Sequence, residues 1–144
     1  MVKYRILDDV AIADVAFEIF GKNENELFEN AALAIAEQTS DIKSIEGKQK
    51  KVIELTSETL ETLLFDFLSE LIYLKDVHQI IFKKSKVSIT KGKEGAYSLK
   101  AIVQGDIINR KKHILKSDIK AITYHMFKVE KTPKGWVAFV VVDI

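Results

Sequence analysis

The chain has 144 residues, 47% of them apolar and 30% charged, which suits a packed core under a well-solvated surface. That composition excludes a disordered, collagen-like or low-complexity chain. Lys plus Arg number 22 against 21 Asp plus Glu, so a net charge of +1 supplies no global field for nucleic acid or an anionic membrane. Cysteine is absent, which rules out disulfides, thiolate chemistry, zinc–cysteine sites and iron–sulfur clusters and points to a reducing cytoplasm. The opening MVKYRILDDV lacks a signal-peptide apolar region, and no stretch nears the ~18 apolar residues of a membrane span. A cytoplasmic protein is expected. With one proline, Pro133, no Gly/Ser-rich linker and no repeat, residues 1–144 read as a single domain.

Taken in order, residues 3–7 read as a short strand. Residues 14–20 alternate, with Val15, Phe17 and Ile19 on one face, so a second strand is predicted there, ended by Gly21. Asn23 followed by Glu26 has the spacing of a capping box, and Leu27, Phe28, Ala31, Ala32 and Ile35 recur at helical steps. Residues 51–55 form a candidate strand, after which Thr56 or Ser57 would cap a second helix. Its stripe runs through Leu60, Leu63, Leu64, Phe67, Leu68, Leu71 and Leu74.

Four strand candidates follow at 79–83, 86–91, 96–103 and 119–129, with KGKEG at 91–95 as a hairpin loop. Thr132-Pro133-Lys134-Gly135 reads as a turn, and 136–142 as the last strand. Strands outnumber helices and tight turns join several of them. The fold class predicted is α+β: a largely antiparallel sheet with two helices packed on one face.

No Walker loop, dinucleotide fingerprint, nucleophile elbow or metalloprotease helix is present, and His78, His113 and His125 are too scattered in sequence for a metal triad. Nothing demands an enzyme. The apolar strand near the C-terminus carries Asp143 and Ile144 at its end. If Asp14 lies nearby, the Asp14 and Asp143 carboxylates and the Ile144 α-carboxylate converge, and such a cluster invites a hard cation such as Ca²⁺ or Mg²⁺. On spacing alone an ordinary strand end with solvated carboxylates is the simpler account.

In the string KAITYHM at 120–126, strand alternation puts Lys120, Ile122, Tyr124 and Met126 on one face and Ala121, Thr123 and His125 on the other. Lys120 and His125 then need not act together. Basic runs at 48–51, 83–86 and 110–112 fit RNA phosphates, but solvated turns are the simpler account.

Together, KAITYHM, the terminal Val-Asp-Ile, GKNENELFENAA at 21–32 and LLFDFLSELIYL at 63–74 resemble the archease family over essentially the whole chain. The resemblance implies a non-catalytic partner of the RtcB-type RNA-splicing ligase, which joins RNA ends left by intron removal from tRNA. Such a partner promotes guanylylation and turnover of the ligase and meets tRNA only through it. The resemblance also implies a calcium site, mapping onto Asp14, Asp143 and Ile144, and a functional lysine, Lys120. His125, in the same string, is the second candidate partner-facing residue. The chain departs from the family where the usual Asp-His-Thr-Ala-Asp reads Val10-Ala11-Ile12-Ala13-Asp14, with Asp8 and Asp9 just upstream. A protein-binding or chaperone-like module of the same fold, without a ligase partner, is the alternative.

Overall fold

The computed structural model describes residues 2–7 and 14–144. The departure at residues 10–13, and Asp8 and Asp9, lie outside the described residues. The elements run β1 (Tyr4–Leu7), β2 (Asp14–Gly21), α1 (Glu24–Thr39), β3 (Gln49–Ser57), α2 (Leu60–His78), β4 (Ile80–Lys91), β5 (Tyr97–Ile107), β6 (Ala121–Thr132) and β7 (Gly135–Asp143). All strand pairs are antiparallel. They form two sheets, in the orders β1-β2-β7-β6 and β3-β5-β4. The α+β expectation therefore holds, with the antiparallel sheet divided in two.

Local chemistry sets the helix ends. Asn23 caps α1 by accepting from the Glu26 N–H at 2.9 Å, while Glu26 accepts from the Lys22 N–H at 3.1 Å, one residue earlier than a standard capping box. At Gly21 a Cβ would sit 2.4 Å from the Leu27 nitrogen, so the corner from β2 into α1 requires glycine. The cap of α2 is Thr59, whose hydroxyl accepts from the Thr62 N–H at 3.1 Å. Thr56 and Ser57, the predicted caps, are instead paired with Ser98 and Tyr97 in the β3–β5 ladder.

The predicted stripes of both helices are buried in one apolar cluster. Phe17, Ile19, Val140 and Val142 enter it from the four-stranded sheet, and Ile53, Leu99, Ala101 and Val103 from the three-stranded one. Phe67 lies stacked on Phe28 with centroids 6.0 Å apart at the centre of this cluster. Truncating such a ring typically costs about 3–5 kcal/mol. Helix α1 also blunts the free edge of β4: Asn25 and Glu29 accept from the N–H groups of Ile89 and Val87, each at 2.8 Å.

Two strand predictions need correction. The candidates at 79–83 and 86–91 are a single strand, β4, broken only by a bulge at Lys83 where pairing steps from Phe82–Gly105 to Lys84–Gln104. Gly105 permits this approach, because a Cβ there would lie 1.9 Å from the Ile81 carbonyl oxygen. The strand predicted at 119–129 begins at Ala121 and its alternation fails inside the KAITYHM string. Thr123 pairs with Val141 and Lys128 with Phe139, leaving residues 124–127 outside the ladder, and Met126 adopts φ +54. Ile122 is buried while Tyr124 and Met126 are exposed, so the three do not share a face.

Candidate functional site

The β2–β7 ladder sets Asp14 directly opposite Asp143, and the β7–β6 ladder sets Ala121 opposite the same residue. Just before β6, the Lys120 N–H donates to the Asp143 carbonyl at 2.8 Å. Val140, Val141 and Val142 are fully buried, so the strand delivering Asp143 is held by the core. Ile144 packs its side chain against that core. Asp14, Asp143, Ile144 and Lys120 thus meet at one end of the four-stranded sheet.

Their electrostatics are unusual for a strand end. The Asp14 carboxyl is raised above the usual carboxylate range, first by its hydrogen bond to the Asp143 side chain, then by partial desolvation and the neighbouring charge. The His125 charge opposes this rise, as the smallest of the influences on Asp14. Because residues 124–127 leave the ladder, strand alternation does not set the side on which His125 lies. Two carboxyls in hydrogen-bonding contact need a proton or a cation between them. Two carboxylates with a third oxygen at Ile144 make an all-oxygen set, which fits Ca²⁺ or Mg²⁺ and not zinc. Among the described residues no three or more His, Asp or Glu side chains cluster, so the third protein ligand would have to be a main-chain oxygen.

Beside the acidic pair the bulge builds an aromatic shelf. The Tyr124 ring stacks on Phe65 of α2 at 4.0 Å and 5°, with Phe127 edge-on to Phe65 at 5.5 Å. Tyr124 nonetheless stays 74% exposed and Met126 58% exposed. Lys120 and His125 are exposed too.

The Archease protein family (MTH1598/TM1083) matches residues 4–144. The chain belongs to the archease family. It is 42% identical to the protein archease of Methanosarcina mazei over 142 residues, 99% of this chain and 96% of that one. It is 40% identical to the protein archease of Thermococcus kodakarensis over 133 residues, 92% and 93% of the two chains. Among solved structures it is similar to Methanobacterium thermoautotrophicum protein 1598, with TM-score 0.81, 29% identity and 99% coverage of both chains. It also shares its fold with a Thermotoga maritima archease described as a possible chaperone, at TM-score 0.62 and 24% identity over 97% and 98% of the two chains. No helix among the described residues of this archease-family chain is long and apolar enough to cross a membrane.

Sequence reasoning missed two polar centres in this archease fold. Asp106, near the end of β5, accepts from the N–H groups of Glu46 at 2.7 Å, Gly47 at 2.8 Å and Lys48 at 2.9 Å. Its fourth partner is His113 Nε2, at 2.9 Å. The His113 Nδ1 accepts from the Asn109 N–H at 3.0 Å, so hydrogen bonding assigns the proton to Nε2. Burial pushes the Asp106 carboxyl up, but the Lys48, Glu46 and Gly47 N–H groups and His113 outweigh it, and it titrates well below the usual range. The second centre is the buried Lys75 of α2. Its ammonium pairs with Asp118 and with Asp76 at 3.2 Å, and donates to the Ile119 carbonyl at 2.8 Å. Lys75 thereby holds the segment that leads into Lys120. His113 stood in the sequence as one of three scattered histidines, and nothing at its spacing announces a partner seven residues upstream.

Proposed function

We propose that this protein is a non-catalytic activator of an RtcB-type RNA-splicing ligase, promoting its guanylylation and repeated turnover in the cytoplasm, with tRNA engaged by the ligase. Membership of the archease family supports this reading. The observation that carries it is the Asp14–Asp143 pair, set face to face by the β2–β7 register with Lys120 alongside.

Asp14, Asp143 and an oxygen of Ile144 are the residues that would hold a calcium-type ion. When bound, the cation neutralises the paired carboxylates and offers its remaining coordination positions to oxygens of a partner. Lys120 contributes a point charge suited to a phosphate or carboxylate on the partner, and His125 a second polar group from the bulge. Asp14 and Asp143 sit on paired strands, and the Lys120 N–H is tied to the Asp143 carbonyl, which favours a fixed docking geometry for these three.

The test is guanylylation of purified ligase by GTP, with and without saturating amounts of this protein. Faster guanylylation and multiple rounds of RNA joining are expected. An unchanged rate, with both proteins folded and soluble, overturns the proposal. The second reading, a chaperone-like module without a ligase partner, is favoured by the exposed Tyr124 and Met126 beside the acidic pair. It predicts suppressed aggregation of a client protein and no effect on guanylylation.

A further inference from the structure

The basic strings at 48–51 and 83–86, which read as solvated turns, lie mostly in strands. Lys50 is in β3, and Lys84 and Lys86 are in β4, both paired with β5. The register aligns Lys50, Gln104 and Lys84 in one cross-strand row, and Val52, Ile102 and Lys86 in the next. A third row holds Glu54, Lys100 and Ser88, and a fourth Thr56, Ser98 and Thr90. The alternate residues Ile53, Val87, Leu99, Ala101 and Val103 are buried in the core, so these rows occupy the outward face of the sheet.

All four lysines are exposed. Glu54, opposite Lys100, is the one carboxylate among the four rows. None of the four lysines lies within ion-pair distance of a carboxylate among the described residues. Strand spacing puts the Cα atoms of Lys84 and Lys86 roughly 7 Å apart, and those of Lys50 and Lys84 roughly 10 Å apart. Like charges gathered on one sheet face repel, whereas a surface built only for solubility intersperses both signs. An external polyanion relieves the repulsion.

We infer that this face holds RNA by its sugar–phosphate backbone, weakly and without reading bases. Lysine ammonium groups beside the Ser88, Ser98, Thr56 and Thr90 hydroxyls are the side-chain types that take phosphate and sugar oxygens. Hydroxyls also partner the RNA 2′-OH, which DNA lacks. The four rows contain no aromatic ring for stacking and no arginine fork for base edges. An acidic protein would match the charge but lacks the regular line of closely spaced anionic oxygens that a sugar–phosphate backbone offers to successive lysine rows. The inference goes beyond the ligase reading, in which RNA is met only through the partner, and it stands without that reading.

The test is fluorescence anisotropy of a labelled RNA hairpin with the full chain, in the absence of ligase, over a salt series. Engaging about three phosphates gives a slope of log affinity on log salt of about −2 to −3. The triple variant Lys50→Gln, Lys84→Gln, Lys86→Gln should keep its circular dichroism spectrum, lose at least about tenfold in affinity at low salt and flatten the slope. The control Lys111→Gln, Lys116→Gln should bind as the parent does. A salt-independent signal, undiminished binding by the triple variant, or an equal loss in the control overturns the inference. Equal binding of a DNA hairpin overturns the assignment to RNA. A polyglutamate competitor that displaces the hairpin better than unlabelled RNA assigns the face to an acidic protein and overturns it too.

Discussion

Asp106 and Asp14 are both strand carboxylates, and their surroundings push them in opposite directions. Asp106 is enclosed by three backbone N–H groups and the His113 ring, all donors, and its carboxyl is held low. Asp14 faces a second carboxylate, and its carboxyl is raised. One charge is answered from within the chain, fixing the loop at residues 46–48 to the end of β5. The other meets a like charge, the arrangement that the proposed cation would answer. A saturated polar centre belongs to the fold, and an unsaturated one points to a ligand or partner.

The largest effect is expected at the saturated centre. Asp106→Ala leaves three inward N–H groups and the His113 Nε2–H without an acceptor, and should cost at least about 3 kcal/mol of stability. Urea unfolding would measure it. The pH dependence has a definite sign. A carboxyl held lower in the folded than in the unfolded state contributes stability that is fully present above the unfolded value of ~4 and is lost as pH falls towards the folded value. Parent stability should therefore decline below about pH 4 more steeply than that of the variant. Parallel acid limbs for the two proteins would remove Asp106 as the anchor.

The two centres also differ in how far the sequence revealed them. Asp14 and Asp143 were legible as strand-end residues, because each heads or ends a strand with clear alternation or a continuous apolar run, but their pairing was not, since that pattern does not give strand order. The helices were legible for the same reason at period 3.6. Asp106 binds residues 58 to 60 positions away, and no local pattern encodes such a partner. Bulges were equally hidden. The extra residue at Lys83 split β4 into two apparent strands, and the excursion at 124–127, with Met126 at positive φ, broke an alternation that looked regular. The basic face was invisible for a related reason. Lys50 and Lys84 become neighbours only through the register of both strands on Gln104.

A smaller effect, conditional on a cation, should mark the unsaturated centre. In chelator-treated buffer, Asp143→Asn removes the like charge facing Asp14, so the melting temperature should hold or rise. Added Ca²⁺ should raise the melting temperature of the parent by a few degrees, through mass action on the folded state, and leave the variant unmoved. Calorimetric titration provides the matching readout, with saturable heat for the parent alone. Equal Ca²⁺ responses in the two proteins would place the ion elsewhere.

The smallest effect on stability should come from Lys120, and it sharpens the comparison most. Its link to Asp143 runs through the main chain, the Lys120 N–H to the Asp143 carbonyl, and survives loss of the side chain. Lys75, through the Ile119 carbonyl, holds the approach to that contact. The side chain itself is exposed. Lys120→Ala should therefore change stability by no more than about 0.5 kcal/mol, as exposed substitutions usually do. If the charge serves a partner's phosphate or carboxylate, the same variant should slow ligase guanylylation, and Lys120→Arg should restore part of the rate by restoring the charge without the compact ammonium. A strand end with only a solvated lysine makes the opposite forecast, with activity following stability and both variants matching the parent. Guanylylation rates and melting temperatures measured on the same two proteins separate the two outcomes, because the first predicts lost activity at unchanged stability and the second forbids it.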